Sequence, residues 1–289
     1  MKIAKFTLAT AMAAAMTLGA WGLVQEGKQP EAPKTIAPAG EGKPGEKKME
    51  EEPKVSPPCY AKHTAMTGAD RNNQPGWPQR HEKFNARAKQ GAEKGDIDLI
   101  FMGDSITEGW EGPGKEVWAE FYGNRNAVNM GISGDRTQHL LWRIENGNLE
   151  GLEKPKAGHA PKLVVVMIGT NNSNGKDHTA QEIADGVQAV VMAARAKLPQ
   201  TPVLLLGIFP RGEKPNAQRE KNTEASALAA KIADGKVVHY LDIGDKFLEK
   251  DGTLSKEVMP DALHLSPKGY RIWAEGIEGK VKELMGEGK

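Results

Sequence analysis

The 289-residue chain contains a single cysteine, Cys59, so no disulfide can form within it and core packing alone must hold the domain together. Charge is nearly balanced, with 39 Lys and Arg against 38 Asp and Glu, which gives no indication of nucleic acid or an anionic membrane as a partner. No cluster of His, Cys and carboxylates has metal-ligand spacing, so we expect neither a metal nor another cofactor. No repeat of fixed period is present, which argues against a solenoid or a propeller.

The N-terminus has the pattern of a secretory signal peptide over residues 1–22. Lys2 and Lys5 form a basic start, and an apolar, Ala-rich run follows over residues 8–20. This run is shorter than the roughly 20 apolar residues that cross a bilayer, so we expect cleavage beside the small residue Gly22 rather than a membrane span. The sequence therefore predicts a secreted or periplasmic protein.

Two further segments precede the predicted domain. Residues 23–58 are dominated by Pro, Glu, Lys, Gly and Ala, a composition that buries too little apolar surface to offset chain entropy. They are predicted to be a disordered linker. Residues 59–78 are predicted to be an irregular N-terminal arm, and residues 79–286 are predicted to form one domain.

From residue 79 onward, apolar runs of strand length alternate with longer amphipathic stretches. This alternation predicts a parallel sheet with helices on both faces, a three-layer α/β/α sandwich of flavodoxin-like topology. Five strands are predicted, at residues 98–102, 126–130, 162–168, 202–209 and 236–241. The main helices are predicted at residues 180–197, at 217–233 and after Pro267. Ligands of such domains bind beyond the carboxyl ends of the strands, so chemistry is expected there.

Three of these strand ends are followed by residues suited to acyl transfer. Ser105 follows the first strand at the start of a helix, where negative charge is favoured, although helix capping is the ordinary role of such a serine. Gly134 follows the second strand and either presents its backbone N–H to a ligand or forms a tight turn. Asn171 follows the third strand, where its amide either donates to an oxyanion or is a plain loop residue.

Asp261 and His264 precede the last helix. Their spacing places both side chains on one side of a turn, so the carboxylate can orient one imidazole nitrogen while the other faces outward. A surface hydrogen bond is the ordinary alternative for such a pair. We expect His264 to be the base, because no other histidine has a carboxylate at a spacing that would orient it beside Ser105. Asp104 is predicted to brace the turn before Ser105, and Arg211 either braces its loop or contacts substrate.

Together these residues resemble the motifs of the SGNH, or GDSL, hydrolase superfamily: Gly-Asp-Ser at Ser105, Gly134, Asn171, and Asp-x-x-His ending at His264. The stretches 134–143, 169–172 and 210–216 are similar to the catalytic subunits of brain-type platelet-activating factor acetylhydrolases. The resemblance extends over about residues 79–285, nearly the whole predicted domain.

The resemblance implies the SGNH hydrolase fold and a serine esterase acting on short acyl esters, in particular acetyl esters, of a carbohydrate or lipid. It implies Ser105 as nucleophile, His264 as base and Asp261 as the orienting carboxylate. The oxyanion would be bound by Ser105, Gly134 and Asn171. Two alternatives stay open: O-acetyl transfer to a sugar by the same residues, and a non-catalytic carbohydrate-binding module. The oligomeric state stays open as well.

Overall fold

The structure is a computed structural model and describes residues 62–288. The predicted signal peptide, the predicted linker and Cys59 lie outside these residues. Within the described part, no helix combines the length and the apolar character that a membrane crossing requires.

Five strands form one parallel sheet in the order β2-β1-β3-β4-β5. The strands are β1 (Leu99–Gly103), β2 (Ala127–Gly131), β3 (Leu163–Met167), β4 (Val203–Leu206) and β5 (Val238–Leu241). The predicted three-layer fold is confirmed. The fourth strand ends three residues earlier than predicted, because Ile208 and Phe209 pack into the cores on the two sides of the sheet instead of pairing within it.

Seven α-helices accompany the sheet in residues 62–288. They are α1 (Trp77–Lys94), α2 (Ser105–Glu108), α3 (Lys115–Tyr122), α4 (Thr137–Arg143), α5 (Ala180–Lys197), α6 (Ala217–Ala229) and α7 (Pro267–Met285). Helix α5 has the predicted bounds, whereas α6 gives way to a 3-10 turn at Ala230–Ile232. Helix α1 begins two residues before the predicted domain, because Gly76 adopts a left-handed conformation that starts the helix and Pro78 suits its first turn.

Alternate side chains of β1 divide between two apolar cores. Ile100 and Met102 pack on the side covered by α1, α4, α5 and α6, whereas Leu99 and Phe101 pack on the side of α3 and α7. This period of two is the strand geometry that places successive side chains on opposite faces. Trp273 of α7 is fully buried in the second core.

The sheet topology determines which strands end next to one another, and therefore where the polar residues that follow them meet. Strand β1 lies between β2 and β3, so the chain crosses to opposite sides of β1 as the sheet grows. In a sheet with this strand order, a crevice opens at that switch point, beyond the carboxyl edge. Ser105, Gly134 and Asn171 follow the three neighbouring strands at this edge.

Residues 62–76 of the arm are packed against the domain. Ala65 is buried, and its carbonyl accepts a 2.7 Å hydrogen bond from Thr137 Oγ1 at the start of α4. The backbone N–H of Ala69 donates to the Gln138 carbonyl at 3.1 Å. Arg71 Nη1 donates to the Ser133 carbonyl at 2.8 Å, so the arm is fastened to the loop between β2 and α4.

Candidate active site

A hydroxyl, an imidazole and a carboxylate lie in line beyond the carboxyl end of β1. Ser105 Oγ lies 3.0 Å from His264 Nε2, and His264 Nδ1 lies 2.6 Å from Asp261 Oδ2. Ser105 comes from the start of α2, whereas the other two residues come from the loop before α7. These distances match a nucleophile, a base and an orienting carboxylate within hydrogen-bond reach of one another.

Helix capping at α2 is performed by the residue before the serine. Asp104 is the N-cap, and its Oδ1 accepts the Ile106 N–H at 3.0 Å. Ser105 is the first helical residue, so its hydroxyl is not used as the cap and is available to His264. Its backbone N–H has no hydrogen-bond acceptor within the described chain.

The turn from Asp261 to His264 organises its own hydrogen bonds. Asp261 Oδ1 accepts the backbone N–H groups of Leu263 and His264, while Oδ2 faces the imidazole. Ala262 adopts a positive φ of 57° between them, a conformation that costs a non-glycine residue about 1 kcal/mol. Partial burial opposes ionisation of Asp261, but the bonds from His264 outweigh it and lower the pKa of this carboxyl. An ionised carboxylate accepts the Nδ1 proton, so Nε2 is left to accept from Ser105.

Asp104 is fully buried directly before the serine. Its Oδ2 has no hydrogen-bond partner among the described residues. Burial, with a further contribution from the charge of Asp135, raises the pKa of Asp104 to about 7, although the Ile106 N–H and His264 act in the opposite direction. The carboxyl group is therefore protonated over much of the acid range.

This raised pKa predicts a pH-dependent stability. Between the ordinary pKa of 3.8 and about 7, folded Asp104 holds a proton that the unfolded chain has released. The free energy of unfolding should therefore fall as pH rises through this window, by a slope approaching about 1.4 kcal/mol per pH unit, and level off above it. Urea denaturation between pH 4 and pH 8 should show a shallower fall for Asp104→Asn than for the parent. The exposed Asp70→Asn is the control, and parallel curves for the parent and Asp104→Asn would contradict the prediction.

Gly134 and Asn171 lie close together because the Asn171 amide bonds to Asp135, the residue that follows Gly134. Asn171 Nδ2 donates to the Asp135 carbonyl at 2.9 Å, which leaves the second amide hydrogen free to donate elsewhere. Gly134 has a φ of 76°, and its N–H has no acceptor among residues 62–288. A Cβ atom added at Gly134 would lie 2.9 Å from Arg71 Nη2, at the end of a side chain that can shift, so it is the backbone conformation that requires glycine here.

A buried ion pair supports this loop, and the sequence motif alone did not reveal it. Asp135 and Arg143 have fully buried side chains, and Arg143 Nε donates to Asp135 Oδ2 at 2.8 Å. Trp77 Nε1 donates to Asp135 Oδ1 at 2.7 Å. Arg143 also donates to the carbonyls of Gly103 and Met130 at the ends of β1 and β2. The pair therefore ties the loop that carries Gly134 to the two strands beside Ser105.

Arg211 braces the turn that carries Asn171. Its Nη1 donates to the Thr170 carbonyl at 3.1 Å and to Asn174 Oδ1 at 3.0 Å. Burial lowers the pKa of Arg211, although the charges of Asp104 and Asp261 oppose this effect. These contacts brace the turn over residues 170–174, whereas the role considered from the sequence was to brace the loop of Arg211 itself.

A cleft of about 450 Å³ opens beside the serine. It is lined by Ser105, Glu108, Ser133, His264 and Tyr270, among others. A groove of equal volume lies between α1 and α3, but its lining includes neither Ser105 nor His264. Trp110 is buried and lines that groove instead of the cleft.

Other histidines pair elsewhere. His63 Nε2 lies 3.2 Å from Asp185 Oδ2, and His159 Nε2 lies 3.3 Å from Asp98 Oδ1. Neither forms a hydrogen bond to Ser105. Across residues 62–288, no group of three or more His, Cys, Asp and Glu side chains is arranged to hold a metal ion.

Sequence comparison places this architecture in a known family. The sequence profile of the GDSL-like Lipase/Acylhydrolase family matches residues 101–272. The chain belongs to the GDSL-like lipase/acylhydrolase family. This membership identifies it as a carboxylic ester hydrolase, so a non-catalytic carbohydrate-binding module is no longer an alternative.

Curated relatives of this GDSL-family chain include two acetylhydrolase subunits. The platelet-activating factor acetylhydrolase IB subunit alpha1 of Homo sapiens is 40% identical over 212 residues, which cover 73% of this chain and 85% of the relative. The subunit alpha2 of Rattus norvegicus is 35% identical over 236 residues, covering 80% of this chain and 93% of the relative. The resemblance read from the motifs is confirmed.

Solved structures share the fold of this GDSL-family chain at lower sequence identity. A GDSL-like lipase from Bacteroides thetaiotaomicron has a TM-score of 0.56 and 20% identity, with coverage of 70% of this chain and 97% of that one. A catalytic mutant of an acetylxylan esterase from Geobacillus stearothermophilus has a TM-score of 0.51 and 20% identity, with coverage of 68% and 96%.

Proposed function

We propose that this GDSL-family enzyme hydrolyses short acyl esters, in particular acetyl esters, of a carbohydrate or lipid through an acyl-enzyme. The observation that carries the proposal is the chain of contacts from Ser105 Oγ through the His264 ring to Asp261, at 3.0 Å and 2.6 Å. The acetylhydrolase activity named for the alpha1 relative supports an acetyl group as the acyl part.

In this mechanism Ser105 Oγ attacks the ester carbonyl carbon while its proton passes to His264 Nε2. The carbonyl π electrons move to the oxygen, which becomes the oxyanion of a tetrahedral intermediate. When this intermediate collapses, the bond to the alcohol oxygen breaks and His264 returns the proton to the leaving alcohol. Water then attacks the acyl-serine by the same route and releases the carboxylic acid. Asp261 holds the ring orientation and stabilises the imidazolium that forms in each half-reaction.

The test of this function is direct. Purified protein is expected to hydrolyse 4-nitrophenyl acetate and to release one acetate for each alcohol, with no transfer to added glucose. A phosphonate ester that mimics the tetrahedral intermediate should label the chain once, and peptide mass spectrometry should find the label on Ser105. Labelling at another residue, or absence of hydrolysis, would overturn the proposal.

Asn171→Ala should slow the chemical step without unfolding the protein. The amide has one hydrogen free for the oxyanion beyond its bond to Asp135, and loss of one such donor costs about 3 to 4 kcal/mol of transition-state stabilisation. We therefore expect kcat to fall about a hundred- to a thousand-fold with little change in KM. Asn124→Ala is the control, because this exposed asparagine follows α3 and does not line the cleft. A loss below ten-fold in Asn171→Ala would remove this residue from the oxyanion site.

Export of the enzyme is a second proposal, and it rests on the sequence of residues 1–22. The basic start and the apolar run over residues 8–20 support a signal peptide. Expression of the full chain in a bacterial host, followed by N-terminal sequencing of the extracytoplasmic fraction, tests it. A product that stays in the cytoplasm with its first 22 residues intact would contradict export.

A further inference from the structure

One peptide unit of the loop between β2 and α4 carries a proposed oxyanion donor. The Gly134 N–H has no acceptor among residues 62–288, which leaves it free to bind an oxyanion. This N–H belongs to the same peptide unit as the Ser133 carbonyl, and peptide units are planar and trans, so the two groups point in opposite directions. A contact that fixes the direction of the Ser133 carbonyl therefore also fixes the direction of the Gly134 N–H.

This peptide unit lies at the centre of a β-turn. The Asp135 N–H donates to the Ile132 carbonyl at 3.1 Å, which closes a turn over residues 132–135. Gly134, the third residue of the turn, has a φ of 76°, whereas the φ of Ser133 is not positive. These values match a type II turn, whose third residue has a φ of about +80°, and not a type I turn, in which that φ is about −90°.

The two turn types differ in the orientation of their central peptide unit. Between them, the ψ of the second residue changes by about 150° and the φ of the third by about 170°, while the two outer angles stay the same. A change of type therefore rotates the peptide unit and exchanges the sides that its carbonyl and its N–H face. Glycine adopts positive and negative φ about equally well, so Gly134 permits either form. A contact from outside the turn can therefore decide between them.

Arg71 of the arm makes such a contact. Its Nη1 donates to the Ser133 carbonyl at 2.8 Å, and no other group of residues 62–288 donates to this oxygen. The carbonyl therefore faces the arm, and the Gly134 N–H faces away from it. A rotated peptide unit would present the N–H to the guanidinium instead, where two donors would oppose each other. The hydrogen bond from Arg71 thus favours the type II form.

The Ser133 carbonyl depends on Arg71 more than the neighbouring carboxylate does. Arg71 Nη1 also lies 3.2 Å from Asp135 Oδ1, which is a longer distance. Asp135 accepts from Arg143 at 2.8 Å and from Trp77 at 2.7 Å, so its carboxylate stays paired without Arg71. A charged donor also polarises the amide that it binds, which makes the N–H of that amide a stronger donor. Loss of Arg71 should therefore affect the Ser133 peptide unit first.

We propose that Arg71 is a positioning residue for ester hydrolysis: its hydrogen bond to the Ser133 carbonyl holds the turn in the form that aims the Gly134 N–H at the oxyanion. This inference rests on the proposed hydrolysis and on Gly134 as an oxyanion donor. Arg71 acts through the turn, since it does not line the cleft beside Ser105. The arm thereby takes part in catalysis although it lies before residue 101, where the family profile begins.

The experiment measures kcat and KM for 4-nitrophenyl acetate in Arg71→Met, whose side chain has no donor. Stoichiometric labelling by the phosphonate ester gives the concentration of active sites, so unfolded protein does not enter kcat. We expect kcat to fall about ten-fold or more while KM changes less than about two-fold, because the weakened interaction forms only in the transition state. Arg71→Gln, which is too short to reach the carbonyl, should show a similar loss. Arg71→Lys, which keeps a charged donor, should recover part of it.

Arg136→Met is the matched control, since Arg136 belongs to the same loop and pairs with Asp177 at 2.7 Å instead of Ser133. It should keep kcat within about two-fold of the parent. The role of Arg71 is overturned if kcat of Arg71→Met and of Arg71→Gln stays within about two-fold of this control, or if their losses appear in KM alone. Failure of the parent to hydrolyse the ester would instead overturn the proposed function, so the two failures are distinguishable.

Discussion

Ser105→Ala is expected to lower kcat for ester hydrolysis by at least about a thousand-fold, because no other hydroxyl among residues 62–288 is hydrogen-bonded to His264. The variant should remain folded, since the Ser105 hydroxyl bonds only His264 within the described part of the chain and Asp104 performs the helix capping. Steady-state hydrolysis of 4-nitrophenyl acetate, together with a thermal melt, measures both expectations.

A set of related variants makes this prediction sharper. His264→Ala should have a loss of similar size, and the double variant Ser105→Ala with His264→Ala should be little worse than either alone, because the two groups act as a unit. Ser255→Ala is the serine control, since that residue does not line the cleft. Retention of more than about a tenth of the activity in Ser105→Ala, or additive losses in the double variant, would count against a serine nucleophile.

Arg143→Met should destabilise the protein by about 3 to 5 kcal/mol. The substitution leaves the buried carboxylate of Asp135 without its main cation, and an uncompensated buried charge is costly. For a domain of this size, the melting temperature should fall by about 10 °C. Activity measured well below the melting temperature should fall as well, because the loop that carries Gly134 loses its connection to β1 and β2.

Two further variants distinguish the effect of Arg143→Met on stability from its effect on the position of the Gly134 loop. Arg87→Met breaks the partly exposed pair with Asp96 at 2.9 Å and should cost no more than about 1 kcal/mol. Adding Asp135→Asn to Arg143→Met removes the unpaired charge, so stability should be partly regained while activity stays low. If urea denaturation gives Arg143→Met a free energy of unfolding within about 1 kcal/mol of the parent, the buried pair does not stabilise the protein in this way.

The predicted strands and helices were confirmed where a short sequence pattern defines them. Helix α5 begins after Thr179, whose hydroxyl accepts the Glu182 N–H while Glu182 reaches back to the Thr179 N–H, a capping box visible as Thr-x-x-Glu. Strand β3 is a run of buried Val and Leu bounded by Gly169. The predicted end of β4 was wrong, because an apolar sequence run does not distinguish Ile208, which packs into a core, from a residue that pairs in the sheet.

The positions of the candidate site residues were also accessible from the sequence. Ser105 and Asn171 lie within four residues of the ends of β1 and β3, and Asp261 and His264 lie within one turn, so short stretches of chain locate them. The contacts that hold the loop beside these residues could not be predicted from the sequence. Trp77 and Arg71 reach Asp135 across 58 and 64 residues of sequence, and no local pattern links them.

The amino-acid sequence by itself determined the order of strands and helices, the buried faces and the identity of the residues suited to acyl transfer. Hydrophobic periodicity and turn chemistry act over a few residues, so they can be read from short segments of chain. Only the tertiary structure decided that the arm packs over the Gly134 loop and that Asp135 and Arg143 form a buried pair. Contacts of this kind depend on which distant segments the sheet brings together, and the energy of a buried charge depends on its complete surroundings.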